Sequence, residues 1–275
     1  MSETHVAARV SILEAAYVAA RAYTTQMGAV AATELWHLRH DPTDLFTRAI
    51  QPALWLLLFG QVMARARGLD AERVNYLDFM APGILAQSVL FASIFYGIAA
   101  IWERDLGVLH RYMVSPAPRS ALVLGKAIGS AMRNMVQAVM IYVLCIVIGI
   151  HVDLHLMSIA AAAIFIALGS GLFSTFSLIV ACLVRTRERF MGIGQLMTMP
   201  IFFASNAIYS IDLMPNWLKA ISNANPLTYE VDALRSLMLT GGQSRIGIWT
   251  DLVVLCLVAA GLTVVATRLY PRMTE

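Results

Sequence analysis

Long runs of apolar residues alternate with short polar breaks along most of this chain. The runs occupy about 45–64, 79–101, 121–150, 156–184, 190–211 and 247–268. Each is close to or above the roughly 20 residues that an α-helix needs to cross the hydrocarbon core of a bilayer. The pattern predicts an all-α integral membrane protein with six transmembrane helices.

The composition supports a membrane protein and narrows its chemistry. Hydrophobic residues make up 59% of the chain and charged residues only 13%. The net charge of +3 is too small and too dispersed to indicate a nucleic-acid partner. Cys145, Cys182 and Cys256 all lie inside apolar runs without metal-ligand spacing, so we expect small buried side chains and no disulfide.

An even number of spans places both termini on one side, and basic residues indicate which side. The basic residues that flank the spans on the side of the termini are Arg9, Arg21, Arg39, Arg48, Arg104, Arg111, Arg119, Lys126, Arg185, Arg187, Arg189, Arg268 and Arg272. The opposite side has Arg65, Arg67, Arg73, Lys219, Arg235 and Arg245. Cytoplasmic loops are enriched in Lys and Arg, so the pattern favours cytoplasmic termini, although the cluster from Arg65 to Arg73 counts against it.

Residues 1–44 differ from the remainder because charges interrupt them throughout. They contain no apolar core of a cleaved signal peptide. Leu35, Trp36 and Leu38 beside Arg39 predict an amphipathic helix on the inner membrane surface, with a solvated cytoplasmic helix as the alternative. Residues 45–275 are predicted to form a single membrane domain.

Several kinds of site are missing from the sequence. No GxxxxGK[ST] phosphate loop occurs, and no catalytic residues are predicted. The spans hold only Arg133 as a clear charge, which gives no proton or ion relay. His151, Asp153 and His155 predict an interfacial turn and no metal site. These features together suggest a pore-forming half that a separate subunit drives.

Three segments resemble one family. They are ERDLGVLHRYMVSPAPRSALVLGKAIG at 103–129, PIFFASNAIYSIDLMPNWLKAISNANPLTYEVDALR at 200–235 and YLDFMAPGILAQ at 76–87. All three are similar to segments of ABC-2-type exporter permeases, with most similarity to the daunorubicin and multidrug-resistance branch. The resemblance extends from the first span to the last.

The resemblance implies a multi-pass permease of the bacterial inner membrane that pairs with a second permease, like or unlike itself, and contacts membrane lipids. It also implies two ATPase subunits, which bind the ATP and Mg that this chain does not bind. The expected cargo is an amphipathic drug-like or lipid-like compound. Export of a polysaccharide or lipid-linked oligosaccharide, and a non-transport role as a scaffold or sensor, remain open.

The charged segment from 102 to 119 is the predicted contact with the ATPase. A cytoplasmic coupling helix from about Glu103 to Val114 would place apolar side chains on one stripe, and the prolines that follow would stiffen its joint to the third span. An ordinary solvated loop is the alternative. The predicted coupling residues are Glu103, Arg104, Asp105, Leu106, Gly107, Leu109, Arg111 and Pro116.

Two further groups of residues are candidates for the transport path. Short helices on either side of Asn225-Pro226 predict a re-entrant pair at the outer leaflet, which either forms a gate or only caps the bundle. The residues of this pair are Pro215, Trp217, Asn225, Pro226, Tyr229, Asp232 and Arg235. The possible substrate path consists of polar residues inside the spans, namely Gln87, Arg133, Asn134, Gln137 and Asn206. Arg133 could instead extend to the inner surface or pair with a carboxylate.

Overall fold

The structure is a computed structural model that describes residues 50–60, 76–107, 119–184 and 186–270, together with the isolated positions 24, 25, 28, 32 and 62. Within these ranges the chain is mainly helical, and the loops contain a single isolated β-bridge between Val152 and Leu239. The eight helices are α1 (Ile50–Gly60), α2 (Tyr76–Asp105), α3 (Arg119–Ile148), α4 (Leu156–Leu183), α5 (Arg187–Phe203), α6 (Asn216–Ala224), α7 (Pro226–Met238) and α8 (Ile248–Leu269).

Four of these helices are long and apolar enough to cross a membrane, namely α2, α3, α4 and α8. The first and fifth predicted spans correspond to the shorter helices α1 and α5. The second half of α1, Trp55–Gly60, is a π-helix. Helix α5 ends at Phe203 and not near residue 211 as predicted, and Asn225 Nδ2 donates to the carbonyl of Ile201 at 2.6 Å, which helps to satisfy the last turn.

Helix α4 lies at the centre of the bundle and packs against α2, α3, α7 and α8. Its small residues from Gly169 to Ser177 allow this close packing, because they let neighbouring helix backbones approach. Ser177 Oγ donates to the carbonyl of Ile94 and accepts a hydrogen bond of 3.1 Å from the N–H of Gly97. The centre of the fold is therefore a contact between the backbones of α2 and α4.

The outward faces of α3 and α8 are apolar. Val139, Val143 and Val147 are exposed on α3 at a spacing of four residues, and Val253 and Leu257 are exposed on α8 in the same way. A spacing of four residues keeps side chains on one face of a helix. These stripes are suited to hydrocarbon or to another apolar helix, as expected for a membrane bundle.

The short loop between α3 and α4 is held by local hydrogen bonds. His151 contacts Asp78 of α2 through both its backbone N–H and its Nδ1, at 3.3 and 3.1 Å. Asp153 accepts from the backbone N–H of His155 at 2.9 Å and from Ser158 Oγ at 2.7 Å. The carboxylate of Asp153 thereby holds the turn that leads into α4.

Candidate substrate cavity and associated polar clusters

A cavity of about 480 Å³ opens between α1, α2, α3 and α5. Four glutamines and three aromatic residues dominate its wall, and none of the lining residues within the described ranges is charged. The lining consists of Gln51, Pro52, Trp55, Gln87, Ser88, Phe91, Ala92, Phe95, Gln137 and Gln195. We call this space the glutamine cavity. Its volume lies within the range typical of small-molecule sites.

The periodicity of α2 explains why this helix forms one wall. Ser88, Phe91, Ala92 and Phe95 are separated by three or four residues, so they share one helical face. The rings of Phe91 and Phe95 lie 6.3 Å apart, which makes the wall partly aromatic. Amide groups and flat rings together can hold a molecule that has both a polar and an apolar side.

Two of the glutamines lack the hydrogen bonds that buried amides normally make. Gln87 is only 3% exposed, and neither Nε2 nor Oε1 has a hydrogen-bond partner among the described residues. Gln137 is also 3% exposed, and its Oε1 has no partner within the same ranges. An unsatisfied buried polar group is unfavourable by roughly 1–3 kcal/mol. These atoms have almost no accessible surface, so they are buried behind the cavity wall and not exposed to the cavity.

The other predicted path residues lie away from this wall. Asn134 Nδ2 donates to Ser93 Oγ at 2.7 Å and to Ser170 Oγ at 2.9 Å, so its amide joins α3 to α2 and α4. The guanidinium of Arg133 lies 5.5 Å from the centre of the Tyr96 ring. Asn206 lies in the segment that follows α5, where its carbonyl accepts a hydrogen bond. The structure thus brings together Gln87 and Gln137 but not the other three residues.

Eight of the ten lining residues were not among the predicted path residues, and they include Gln51, Trp55 and Gln195. Their helices were predicted, but single polar residues in apolar runs do not indicate which face they share. The available signal was the recurrence of glutamine in the first, second, third and fifth apolar runs.

The C-terminal end of α2 is tied to neighbouring elements by charged side chains. Lys126 Nζ of α3 lies 2.6 Å from both carboxylate oxygens of Glu103. Arg104 Nη1 donates to the carbonyl of Val184, just after α4, at 3.4 Å. Lys126 is largely buried, so the carboxylate of Glu103 offsets the unfavourable burial of its charge.

Asp105 extends this cluster to α5. Its carboxylate accepts hydrogen bonds of 3.1 and 2.8 Å from Nε and Nη2 of Arg187. The guanidinium of Arg187 also lies 3.5 Å from the centre of the Trp102 ring. Since Arg187 opens α5, this contact fixes the last turn of α2 against the first turn of α5.

The start of the predicted coupling helix needs correction. Glu103, Arg104 and Asp105 form the last turn of α2, which continues beyond the predicted end of its span. Leu106 and Gly107 follow as a turn, where Gly107 has a φ of 71° that suits glycine. Leu109, Arg111 and Pro116 lie outside the described residues, so their coupling role stays a prediction.

The predicted pair of short helices is present as α6 and α7. Asn225 lies between them, and its Oδ1 accepts from the N–H of Leu227 at 3.0 Å, which caps α7. Pro226 occupies the first position of α7, where its missing N–H is harmless. Tyr229 Oη donates to the carbonyl of Asn223 at 2.6 Å. Pro215 precedes α6, and Trp217 is exposed on it.

Asp232 and Arg235, the charged site residues predicted on α7, both form hydrogen bonds. Asp232 accepts hydrogen bonds from Ser244 Oγ at 2.8 Å and from the N–H of Ile246 at 3.0 Å. Arg235 Nη2 donates to the carbonyl of Asn206 at 2.8 Å, and its guanidinium lies 3.9 Å from the centre of the Phe79 ring. These contacts fix α7 against α2 and against the segment before α8.

Glu230 is a buried acid that the predicted site residues did not include. It is fully buried on α7, and neither carboxylate oxygen has a hydrogen-bond partner in the part of the chain that the structure describes. Its carboxyl group occupies the space where a side chain at Gly169 of α4 would lie. Only glycine at position 169 allows α7 to place an acid there.

Comparison with known protein families gives the class of the molecule. The model of the ABC-2 type transporter family matches residues 25–239, which include most of the described helices. The chain belongs to the ABC-2 type transporter family. Permeases of this family in general work with separate ATPase subunits, so the ABC-2 fold accounts for an apolar bundle without a phosphate loop.

Three relatives of this ABC-2 chain indicate how broad the similarity is. "Putative transport permease ycf38" of Cyanophora paradoxa is 31% identical over 203 residues, which are 73% of this chain and 69% of the relative. "Daunorubicin resistance ABC transporter permease protein DrrB1" of Streptomyces coeruleorubidus is 26% identical over 88% of this chain and 84% of its own. "Inner membrane transport permease YadH" of Escherichia coli K12 is 23% identical over 68% and 72%. All three are named permeases, in agreement with a multi-pass membrane protein.

Proposed function

We propose that this chain is the transmembrane subunit of an ATP-driven exporter that moves an amphipathic drug-like or lipid-like compound out of the cell. ATP and Mg are bound by two separate ATPase subunits, and a second permease completes the pore. The glutamine cavity is the observation that supports this proposal most directly. Its uncharged wall of amides and aromatic rings suits a compound with both polar and apolar parts.

The proposed topology has six spans with both termini in the cytoplasm of a bacterial cell. Helices α1 and α5 are the two additional spans, and both line the glutamine cavity together with α2 and α3. Reporter fusions after residue 275 and within the segment 65–73 test this arrangement. We expect a fused green fluorescent protein to fluoresce at the C-terminus and a fused alkaline phosphatase to be active in 65–73. The reverse pattern would contradict the topology.

The proposed contact with the ATPase begins where α2 ends. The ion pairs of Glu103 and Asp105 connect this point to α3 and α5, so a movement of the following segment is passed to two walls of the cavity. Leu109 and Arg111 are the proposed docking residues. In an L109A/R111A variant we expect loss of co-purification with the ATPase. Retained assembly with full transport would reject this docking role.

The central experiment measures ATP hydrolysis by the purified permease–ATPase complex in lipid nanodiscs. Small amphipathic drugs and envelope lipids are added one at a time, and the complex with a catalytically inactive ATPase subunit is the control. We expect at least one compound to change the rate and to be transported into inverted vesicles. Stimulation only by a lipid-linked oligosaccharide would contradict the proposed cargo. No change with any compound would contradict the exporter function and favour a scaffold.

A further inference from the structure

We propose that Asp251 of α8 holds a proton, and that this proton closes a clasp between α7 and the start of α8. The clasp consists of Asp232, Ser244 and Asp251. Loss of the proton opens the clasp, so the attachment of the short helix α7 to α8 depends on pH. The inference goes beyond the proposed export function and does not depend on the cargo.

The hydroxyl group of Ser244 has three polar neighbours. It accepts a hydrogen bond of 2.7 Å from the N–H of Gly247. Its Oγ also lies 2.8 Å from Oδ2 of Asp232 and 3.3 Å from Oδ2 of Asp251. A hydroxyl group has one proton to donate and two lone pairs that accept. Ser244 therefore donates to one aspartate, and the other aspartate has to donate to Ser244 through a proton of its own.

Asp232 has the surroundings of the acceptor. Its Oδ2 is the closer of the two to Ser244 Oγ, and it also accepts from the N–H of Ile246 at 3.0 Å. The guanidinium of Arg235, one turn further along α7, attracts the same carboxylate. Two donors and a cation are suited to an ionised carboxylate, so Ser244 directs its proton to Asp232.

Asp251 has the surroundings of a neutral acid. Its side chain is fully buried, and Oδ1 has no hydrogen-bond partner within the described ranges. Although Asp251 lies in the first turn of α8, the contact of its carboxyl group is with the hydroxyl of Ser244 and not with a backbone N–H. An ionised carboxylate here would be buried beside Asp232 without compensation, which is strongly unfavourable. A proton on Oδ2 removes that charge and donates to Ser244.

The elements that pack against α8 are α3, α4 and α7. Their titratable residues are Arg119, Lys126, Arg133, Tyr142 and Cys145 of α3, Cys182 of α4, and Tyr229, Glu230, Asp232 and Arg235 of α7. Of these, Asp232 is the one whose charge acts on Asp251. The cation nearest in sequence, Arg245, is paired with Asp212 at 2.7 Å. The electrostatic surroundings of Asp251 in the described part of the chain therefore favour its neutral form.

A proton reaches Asp251 without the open route that a larger ligand needs. Ser244 is only half-buried and lies between the two carboxyl groups. A hydroxyl group passes a proton on by accepting one while it donates another. The clasp thus exchanges its proton with water through Ser244.

The first test is infrared spectroscopy of the full-length permease in lipid nanodiscs. A protonated carboxyl group has a C=O stretching band that a carboxylate lacks. At neutral pH, the difference spectrum of wild type minus Asp251→Asn should contain this band, whereas Glu230 is present in both proteins and cancels. The band should disappear from the wild type as the pH is raised. Asp212→Asn, which changes an exposed acid nearby, is the matched control and should keep the band.

The second test follows the clasp with a spin label on Gln243→Cys, an exposed position next to Ser244, in a variant whose three native cysteines are alanine. The label should gain mobility over the pH range in which the infrared band is lost. With Asp251→Asn it should stay immobile at every pH, because the amide N–H donates to Ser244 in place of the proton. With Asp232→Leu it should be mobile throughout, because the acceptor is missing.

The inference is overturned if the difference spectrum lacks the carboxyl band, because Asp251 is then ionised. It is also overturned if Asp251→Asn keeps the alkaline gain in mobility, or if Asp232→Leu leaves the label immobile. Neither test measures transport, so each of these results leaves the export function intact.

Discussion

The two ends of α2 contact the rest of the bundle in different ways. At the C-terminal end, Glu103 pairs with Lys126, and Asp105 pairs with both Arg187 and Arg104. In the N-terminal half, Gly83 lies against the backbone of Ala207, and Gln87 buries an amide without a partner in the described part of the chain. One end is held by charge pairs, and the other by close fit around a buried amide.

This difference concerns how each part of α2 is stabilised. Paired charges at an end that is partly exposed are weakened by water and salt. An unpaired buried amide is unfavourable for folding, so close packing around it has to offset that loss. The comparison predicts that volume matters most in the N-terminal half and that charge matters most at the C-terminal end.

The largest expected effect is that of Gly83→Ala. A Cβ at this position would lie 2.7 Å from Cα and 2.8 Å from the carbonyl carbon of Ala207, and backbone atoms cannot rotate away. We expect a loss of about 3 kcal/mol in folding free energy. The thermal midpoint in detergent, measured by size-exclusion chromatography, checks this.

Gly261→Ala is the control for this substitution. Nothing lies within 4 Å of the position that its Cβ would take in α8, so alanine should be neutral or stabilising by up to about 1 kcal/mol. If Gly83→Ala were as stable as Gly261→Ala, the N-terminal half of α2 would not be held by close fit.

The next prediction compares the substitution of glutamate by glutamine at Glu103 and at Glu230. Glu103→Gln leaves the largely buried Lys126 without a carboxylate, and we expect a loss of about 2 kcal/mol. Glu230→Gln removes a carboxylate that has no partner in the described ranges, so stability should stay the same or rise. Chemical denaturation of the purified permease measures both.

The double variant Glu103→Gln/Lys126→Met separates pairing from burial. It should recover most of the stability that Glu103→Gln loses, because no unpaired charge remains. Equal losses in Glu103→Gln and Glu230→Gln would remove the contrast between a compensated acid and an unpartnered one.

Much of the helical framework follows from the apolar pattern. The predicted spans 156–184 and 247–268 match Leu156–Leu183 and Ile248–Leu269 within one residue at each end. The last turn of α2 was missed because its charges are stabilised by Lys126 and Arg187, which are distant in sequence. No local pattern reveals such a partner.

The candidate site was less predictable for the same reason. Gln87 and Gln137 were singled out as polar residues in apolar runs, and that signal is local. Grouping them with Gln51 and Gln195 requires the packing of four helices. Likewise, the burial of Glu230 depends on a glycine 61 positions earlier in the chain, which pattern analysis cannot connect to it.

A smaller effect is expected for Asp105→Asn. Asp105 and Arg187 are about one-third exposed, and Arg187 keeps its contact with the Trp102 ring when the carboxylate is lost. We expect a loss of stability clearly smaller than that of Glu103→Gln, which decreases further as salt is added. Denaturation at low and high ionic strength measures it. A salt-independent loss as large as that of Glu103→Gln would show that both pairs are buried to the same degree in the assembled protein.

The smallest effect concerns Asp153, beside the N-terminal end of α2. The hydrogen bond from the backbone N–H of His155, with those from Ser158 and the His155 ring, lowers the pKa of Asp153 from 3.8 to about 2. A depressed pKa means that the stabilisation from these hydrogen bonds is fully present above pH 4 and is lost as the pH falls towards 2.

The turn before α4 should therefore loosen only in strong acid, because protonated Asp153 accepts these hydrogen bonds more weakly. With Cys145, Cys182 and Cys256 replaced by alanine, a fluorophore attached through Met157→Cys, an exposed position in the first turn, should show falling anisotropy between pH 4 and pH 2. With Asp153→Asn added, the anisotropy should be low throughout and insensitive to pH. A transition well above pH 4, or one that persists in the Asp153→Asn variant, would contradict the assignment of this turn to Asp153.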